Sequence, residues 1–213
     1  MNRLLIVGAS GFGREVLGWA RDVPAALRDW EPGGFLDQDP SALDGYSVDL
    51  PIVGEPDSYA PCPDDRFLCA IAEPVVKLRL CRALEARGAV FATLIHPLAN
   101  VPAGNRVGKS AIFCPWAGIT THVTVGDFVT FNTHSGAGHD AVLGDGCTFS
   151  SHAEAAGNTV LGEGVFLGSH AVILQGVRVG ERARIGAGAV VLRNVPAGAT
   201  MFGNPAKQVA GFA

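Results

Sequence analysis

From Val107 onward, every sixth residue is apolar. Val107, Phe113, Ile119, Val125, Phe131, Ala137, Leu143, Phe149, Ala155, Leu161, Leu167, Ile173, Val179, Ile185 and Val191 form fifteen members without a slip. Two residues before each stands a small or β-branched side chain, from Ala111, Ala117 and Val123 through to Ala183 and Ala189, with Asn105 at the edge as the exception. Eight of the residues that follow a large one are Gly. A period of six is neither the 3.6 of an amphipathic helix nor the 2 of a half-buried strand. It fits a coil of short parallel strands, each sending two side chains inward, with glycine where the backbone must bend without a Cβ. Three hexapeptides close one triangular turn of 18 residues, so fifteen make about five coils. Stacked turns lie about 4.8 Å apart, the strand spacing, which sets residues 18 apart one above another.

This stacking predicts three corners. One carries Lys109-Ser110, Asp127-Phe128, Asp145-Gly146, Glu163-Gly164 and Glu181-Arg182, and reads as a solvated acidic edge. The second carries Pro115-Trp116, Thr133-His134, Ser151-His152, Ser169-His170 and Ala187-Gly188, a column with three histidines. The third carries Thr121-His122, His139-Asp140, Gly157-Asn158, Gln175-Gly176 and Arg193-Asn194. Five of the six histidines fall on the last two corners, which marks them as the edges for chemistry and for neighbouring subunits.

The pattern before the coil is different. Leu4 to Val7 reads as an apolar strand, Gly8-Ala9-Ser10-Gly11-Phe12-Gly13 as a glycine turn, and Arg14 to Asp22 as a helix. A strand, a glycine turn and a helix start suit phosphate or ribose, because unspent backbone N–H groups and the helix dipole face the ligand. The spacing is GxxGxG and not the dinucleotide fingerprint GxGxxG. A second strand, Gly33 to Leu36, ends at Asp37, whose carboxylate is placed to accept bonds from ribose or base. Phe67 to Ile71 reads as a further strand, Val75 to Arg87 as a helix, and Val90 to Ile95 as the lead into the coil. These 95 residues are too few for the two halves of a dinucleotide fold, so the reading is one nucleotide and not NAD.

Composition narrows the function. The chain has 213 residues, 17% of them charged, and a net charge of -4 with no dense basic tract, which argues against nucleic acid. No apolar run approaches the roughly 20 residues of a membrane span, and Met1 to Arg3 enters a strand with no signal-peptide pattern, so the expected location is cytoplasmic and off the membrane. Cys62, Cys69, Cys81, Cys114 and Cys147 contain no CxxC pair and read as reduced thiols.

The start LLIVGASGFGREV, the segment LIHPLANV, the unbroken hexapeptides, the His-Asp pair in SGAGHDAVLGDG and the ending VPAGATMFGNPAKQV together resemble a family of bacterial sugar acetyltransferases. That family includes sialic acid O-acetyltransferases and N-acetyltransferases of nucleotide-linked amino sugars, such as the perosamine and bacillosamine-pathway enzymes. The resemblance implies a left-handed coil: a small Rossmann-like α/β domain over 1–95 that binds the nucleotide-sugar, a left-handed parallel β-helix over 96–195, and a tail over 196–213 that closes the coil. It implies acetyl-CoA as cosubstrate, no metal, a homotrimer with sites at subunit interfaces, and direct acetyl transfer to the amine of a nucleotide-linked amino-deoxy sugar, for example a 4-amino-4,6-dideoxyhexose. The setting implied is surface polysaccharide or glycan biosynthesis, such as lipopolysaccharide O-antigen.

Carried over residue by residue, His139 becomes the general base and Asp140 its acidic partner. An imidazole that titrates near about 6.5 takes a proton at neutral pH, and a neighbouring carboxylate orients it and favours the imidazolium. Gly157 lies one coil from His139, so its N–H suits the thioester oxygen as it becomes an oxyanion. The resemblance places acetyl-CoA contacts at Thr148, Ser169 and Ala187, and nucleotide-sugar contacts at Ser10, Gly11, Phe12, Asp37 and Ala72, the last standing where relatives commonly have Gly. Other readings stay open: sialic acid O-acetylation, and a zinc carbonic-anhydrase-like β-helix protein with His122, His134 and His139 as ligands. His122 lies one coil from Asp140 and is a second candidate partner for it.

Overall fold

Leu4, Leu5, Ile6 and Val7 are buried because strand β1 (Asn2–Val7) runs through the middle of a parallel sheet. In this computed structural model, which describes residues 1–210, β1 lies between β2 (Trp30–Leu36) and β4 (Asp65–Cys69), with β3 (Ile52–Gly54) beyond β2. Helix α1 (Gly11–Asp22) follows β1, and α2 (Pro74–Ala86) follows β4. A sheet covered on both faces demands the continuous apolar run that β1 shows.

Strand β2 starts at Trp30, three residues before the expected Gly33, α2 is shifted by one residue, and β3 was not expected; two further departures have a visible cause. Helix α1 begins at Gly11, so Gly11, Phe12 and Gly13 belong to its first turn and Ser10 is its N-cap. Gly13 is needed for closeness: a Cβ there would lie 2.0 Å from the Gly8 carbonyl oxygen. Strand β4 starts at Asp65, two residues early, because that buried carboxylate is satisfied by Arg3 Nε, the Tyr59 hydroxyl and the Cys62 N–H, each at 2.9 Å. These bonds offset the desolvation cost that would otherwise keep a carboxylate in a loop.

The coil follows the period of six in register. All fifteen large positions are the second residue of a two-residue strand, from Arg106–Val107 to Val190–Val191. Partners are 18 apart on every face, as in Phe131 with Phe149, Ala137 with Ala155 and Leu143 with Leu161. The rings of Phe113, Phe131 and Phe149 stack inside at 4.7 and 4.6 Å. One face extends further: Leu94–Ile95 pairs with Ile112–Phe113, and Thr200–Phe202 pairs with Arg184–Ile185 before Lys207–Val209 returns antiparallel. Residues 211–213 of the expected tail lie outside the described residues.

The role expected of the repeat glycines is corrected. The bends with positive φ fall on the second residue of each corner, which is glycine at Gly146, Gly164, Gly176 and Gly188 as expected, but elsewhere a side chain, with Trp116, His122, His134, Asp140, His152 and His170 at φ of 57 to 62°. His and Asp are among the residues that tolerate this region best. The glycines after the large positions serve stacking instead. A Cβ on Gly144 would meet the Glu163 nitrogen at 2.6 Å, and one on Gly162 the Glu181 nitrogen at 2.6 Å.

The acidic corner is likewise more than a solvated edge. Arg82 of α2 bonds Glu163 at 2.6 Å, and Lys109 bridges Glu85 of α2 and Asp127 at 2.7 and 3.3 Å. These pairs dock the α/β unit against the coil, beside an apolar seam in which Phe91 meets Phe128 edge-on at 5.1 Å. Of the five thiols, Cys62 is exposed and the other four are buried. Among the described residues, no helix is long and apolar enough to cross a membrane.

Candidate active site

His139 and Asp140 form one corner of the coil, between the strands Gly136–Ala137 and Val142–Leu143. The positive φ of Asp140 turns its side chain back toward its neighbour, and Oδ2 sits 2.9 Å from His139 Nδ1. A carboxylate accepts only, so this bond puts the ring proton on Nδ1 and leaves the Nε2 lone pair outward as a base. Nε2 lies over Gly157, where a Cβ would come within 2.5 Å of it. The Gly157 carbonyl accepts from the Gly176 N–H at 3.0 Å, whereas the Gly157 N–H donates no hydrogen bond among the described residues. About half of each side chain of the pair is exposed, 50% for His139 and 52% for Asp140. His122 makes no hydrogen bond or ion pair with Asp140 among the described residues.

Ser169 and Ala187 line one groove of about 640 Å³ with Phe166, Gly186, Phe202 and Arg184. Arg184 packs over the Phe166 ring at 4.7 Å, and both Glu73 oxygens accept from its guanidinium at 2.9 Å, so the start of α2 closes one side. Thr148 is not with them. It is buried beneath the α/β unit, where its hydroxyl donates to the Ala72 carbonyl at 2.8 Å and accepts from Lys77 Nζ at 2.8 Å. The sequence pattern placed Thr148 outward on its face, and that face is the one α2 covers. The groove flanks the second corner and His139 stands on the third, so a single chain holds the two apart across one face of the coil.

Sequence reading passed over two further groups. Lys77 reads as a surface lysine of α2, yet it is fully buried. Glu154 stands on the face between the second and third corners, in the outward row Gly118, Gly136, Glu154, Val172 and Val190. It is half-buried there, and desolvation pushes its carboxyl up. A lone acid in a row of glycine and valine was the available signal.

In the α/β unit, Asp37 spends its carboxylate at home: Oδ2 accepts from the Ala9 N–H at 2.7 Å and Oδ1 from the Asp39 N–H at 3.0 Å. It thereby shapes the loop before α1 and lines a small cavity of about 130 Å³ with Gly8, Gln38, Ile71 and Arg79. Ser10 and Gly11 are exposed at the helix start, and the Ser10 side chain makes no capping bond. Phe12 packs edge-on against Trp19 at 6.1 Å. Ala72 is exposed near the start of α2.

On the second corner, Trp116, His134, His152 and His170 stack at 4.9, 4.7 and 4.5 Å with planes within 8°. His134 thus stands in this ladder, on a different corner from His122 and His139. Among the described residues no group of three His, Cys, Asp or Glu side chains is arranged to hold a metal.

A left-handed hexapeptide coil with a His-acid pair over a glycine N–H, joined to a small parallel α/β unit, defines the class of hexapeptide acyltransferases. Residues 158–193 match the bacterial transferase hexapeptide (six repeats) model, and residues 3–84 match the PglD N-terminal domain. Among solved structures, WeeI from Acinetobacter baumannii is 30% identical over 97% of this chain and 99% of its own, with a TM-score of 0.84. The acetyltransferase domain of PglB from Neisseria gonorrhoeae, in complex with acetyl coenzyme A, is 27% identical over 98% and 99%, with a TM-score of 0.86. PerB from Caulobacter crescentus, in complex with CoA and GDP-perosamine, is 27% identical over 99% and 98%, with a TM-score of 0.86. No curated protein matches the chain. The chain belongs to the hexapeptide-repeat bacterial sugar acetyltransferases.

Proposed function

We propose that this protein transfers the acetyl group of acetyl-CoA to the amine of a nucleotide-linked amino-deoxy sugar. The observation that carries the reading is the His139–Asp140 pair, with Nε2 outward above an unspent Gly157 N–H. As the amine nitrogen bonds the thioester carbon, His139 Nε2 takes its proton and Asp140 holds the imidazolium. The carbonyl oxygen gains the electron pair and accepts from the Gly157 N–H. Collapse re-forms the carbonyl and breaks the C–S bond, and the departing thiolate takes the proton from His139.

The separation of His139 from the groove of Ser169 and Ala187 supports a site shared between copies. One chain supplies the base and the next supplies the groove, in a homotrimer. The start of α1, exposed at Ser10 and Gly11 and half-buried at Phe12, with the Asp37 loop beside it and Ala72 near the start of α2, suits the nucleotide. The amine preference draws on the likeness to PerB, which was solved with GDP-perosamine. Surface polysaccharide or glycan synthesis is the setting, in the cytoplasm, where thiols like these stay reduced.

The test is release of free CoA across UDP-, GDP-, TDP- and CMP-linked amino sugars. Turnover with one of them is expected, and His139→Ala and His139→Asn should each abolish it while the assembly and CoA binding persist. Transfer to free sialic acid alone, or more than a few per cent of activity left in both variants, would overturn the proposal.

A further inference from the structure

We infer that Glu73 is a positioning residue: through Arg184 it locks the loop that carries Ala72 to the wall of the groove of Ser169 and Ala187, and so holds acceptor and donor at a fixed separation. This rests on the transferase reading above and adds to it a residue that touches neither reacting atom. Every residue lining that groove belongs to the coil or its C-terminal extension except Glu73, which arrives from the α/β unit. Glu73 and Arg184 are its only charged lining residues among the described residues, and each spends its charge on the other, both carboxylate oxygens accepting from Arg184 Nη1 at 2.9 Å. The pair is therefore a wall and not a free anion site.

Helix stability does not account for this use of the carboxylate. A side-chain oxygen just before a helix ordinarily serves the free N–H groups of its first turn. Glu73 is the residue that precedes α2, and it makes no such capping bond. Its carboxylate reaches instead to a residue 111 positions along the chain. The pair is part-exposed, 39% for Arg184 and 41% for Glu73, so it adds little to the stability of the fold.

The reach is set by one column of the coil. Thr148, Phe166 and Arg184 stand in register on successive turns. Thr148 Oγ1 donates to the Ala72 carbonyl at 2.8 Å, and Arg184 donates to Glu73. Two consecutive residues of the loop thus grip the coil two turns, about 9.6 Å, apart. A loop tied at one point can swing about it, and the second tie removes that freedom. Ala72 is the candidate acceptor contact, and a misplacement of about 1 Å can cost on the order of 10²-fold in rate.

The experiment is steady-state kinetics of the full chain and its E73A, R184A and E73A/R184A variants, with acetyl-CoA and the nucleotide-linked amino sugar that turns over in the panel above, beside calorimetric titration with CoA. E73A and R184A should each lower kcat about tenfold or more, and the double variant should be no slower than the slower single, since both act through one contact. E73A should keep the parent's melting temperature within a few degrees, its assembly size, and its CoA affinity within about threefold. A kcat for E73A within twofold of the parent, losses that multiply in the double variant, a loss confined to CoA affinity, or a melting temperature that falls in step with the rate overturns the assignment and leaves the transferase reading standing. A parent that turns over no sugar of the panel overturns both.

Discussion

His139 holds its Nε2 above Gly157 so closely that a methyl group on Gly157 would meet Nε2 at 2.5 Å and Cε1 at 2.7 Å. Gly157→Ala therefore displaces the imidazole from the place where base and oxyanion donor meet. The ring is half exposed and can swing outward, so the coil itself loses little. Expected is a fall in kcat of about 10²-fold or more with a melting temperature within a few degrees of the parent. Parent-like turnover would remove the glycine from the mechanism.

Lys77 presents a different case. Its Nζ donates to Thr148 Oγ1 at 2.8 Å, Thr130 Oγ1 at 3.1 Å and the Cys147 carbonyl at 3.3 Å, with no carboxylate in hydrogen-bonding range among the described residues. Burial pushes its pKa down to about 8, against partial relief from Cys69, Cys147, Cys81 and Glu73. Between about pH 8 and 10.5 the unfolded chain keeps a proton that the folded chain has lost, so the cost of this group is full below pH 8 and fades as pH rises. That cost is on the order of 3 kcal/mol. Lys77→Met removes it at every pH. Denaturant unfolding at pH 7 and pH 10 should show the variant losing ground to the parent by up to about that amount at the higher pH. The difference reports Lys77 together with the Cys69, Cys81 and Cys147 thiols whose fields it shares, and a difference flat with pH would refute the account.

In the histidine ladder, desolvation holds His152 below the ordinary imidazole range, followed by the fields of His170 and His134. Below about pH 6.5 the unfolded chain binds more protons at this site than the folded one, so acidification works against the fold here. In an H134N/H170N variant the His152 ring should titrate at a higher pH, read from its Cε1 proton by NMR. An unmoved midpoint would leave desolvation as the sole cause.

Much of the coil was legible before any coordinates. A solenoid writes its long-range contacts into local spacing: Phe131 meets Phe149 because both obey one period, and every rung repeats the same inward pair. The column of His139 and Gly157 followed from the same arithmetic, and so did the stack of His134, His152 and His170. Left-handedness was beyond that arithmetic, since a spacing of six is the same for either hand.

Tertiary structure decided whatever depends on two distant segments meeting. Thr148 lies on an outward position of its strand, and only the docking of α2 turns that position into a buried partner for Lys77 and Ala72. The acidic corner became a joint for the same reason, because Arg82 and Glu85 arrive from another unit. The glycines after the large positions were misread since the pattern shows where a side chain is missing and not what would have struck it; Gly144 is pressed by the Glu163 backbone of the next coil. Contacts between units follow no period, so they are fixed by shape and charge across the docked surfaces.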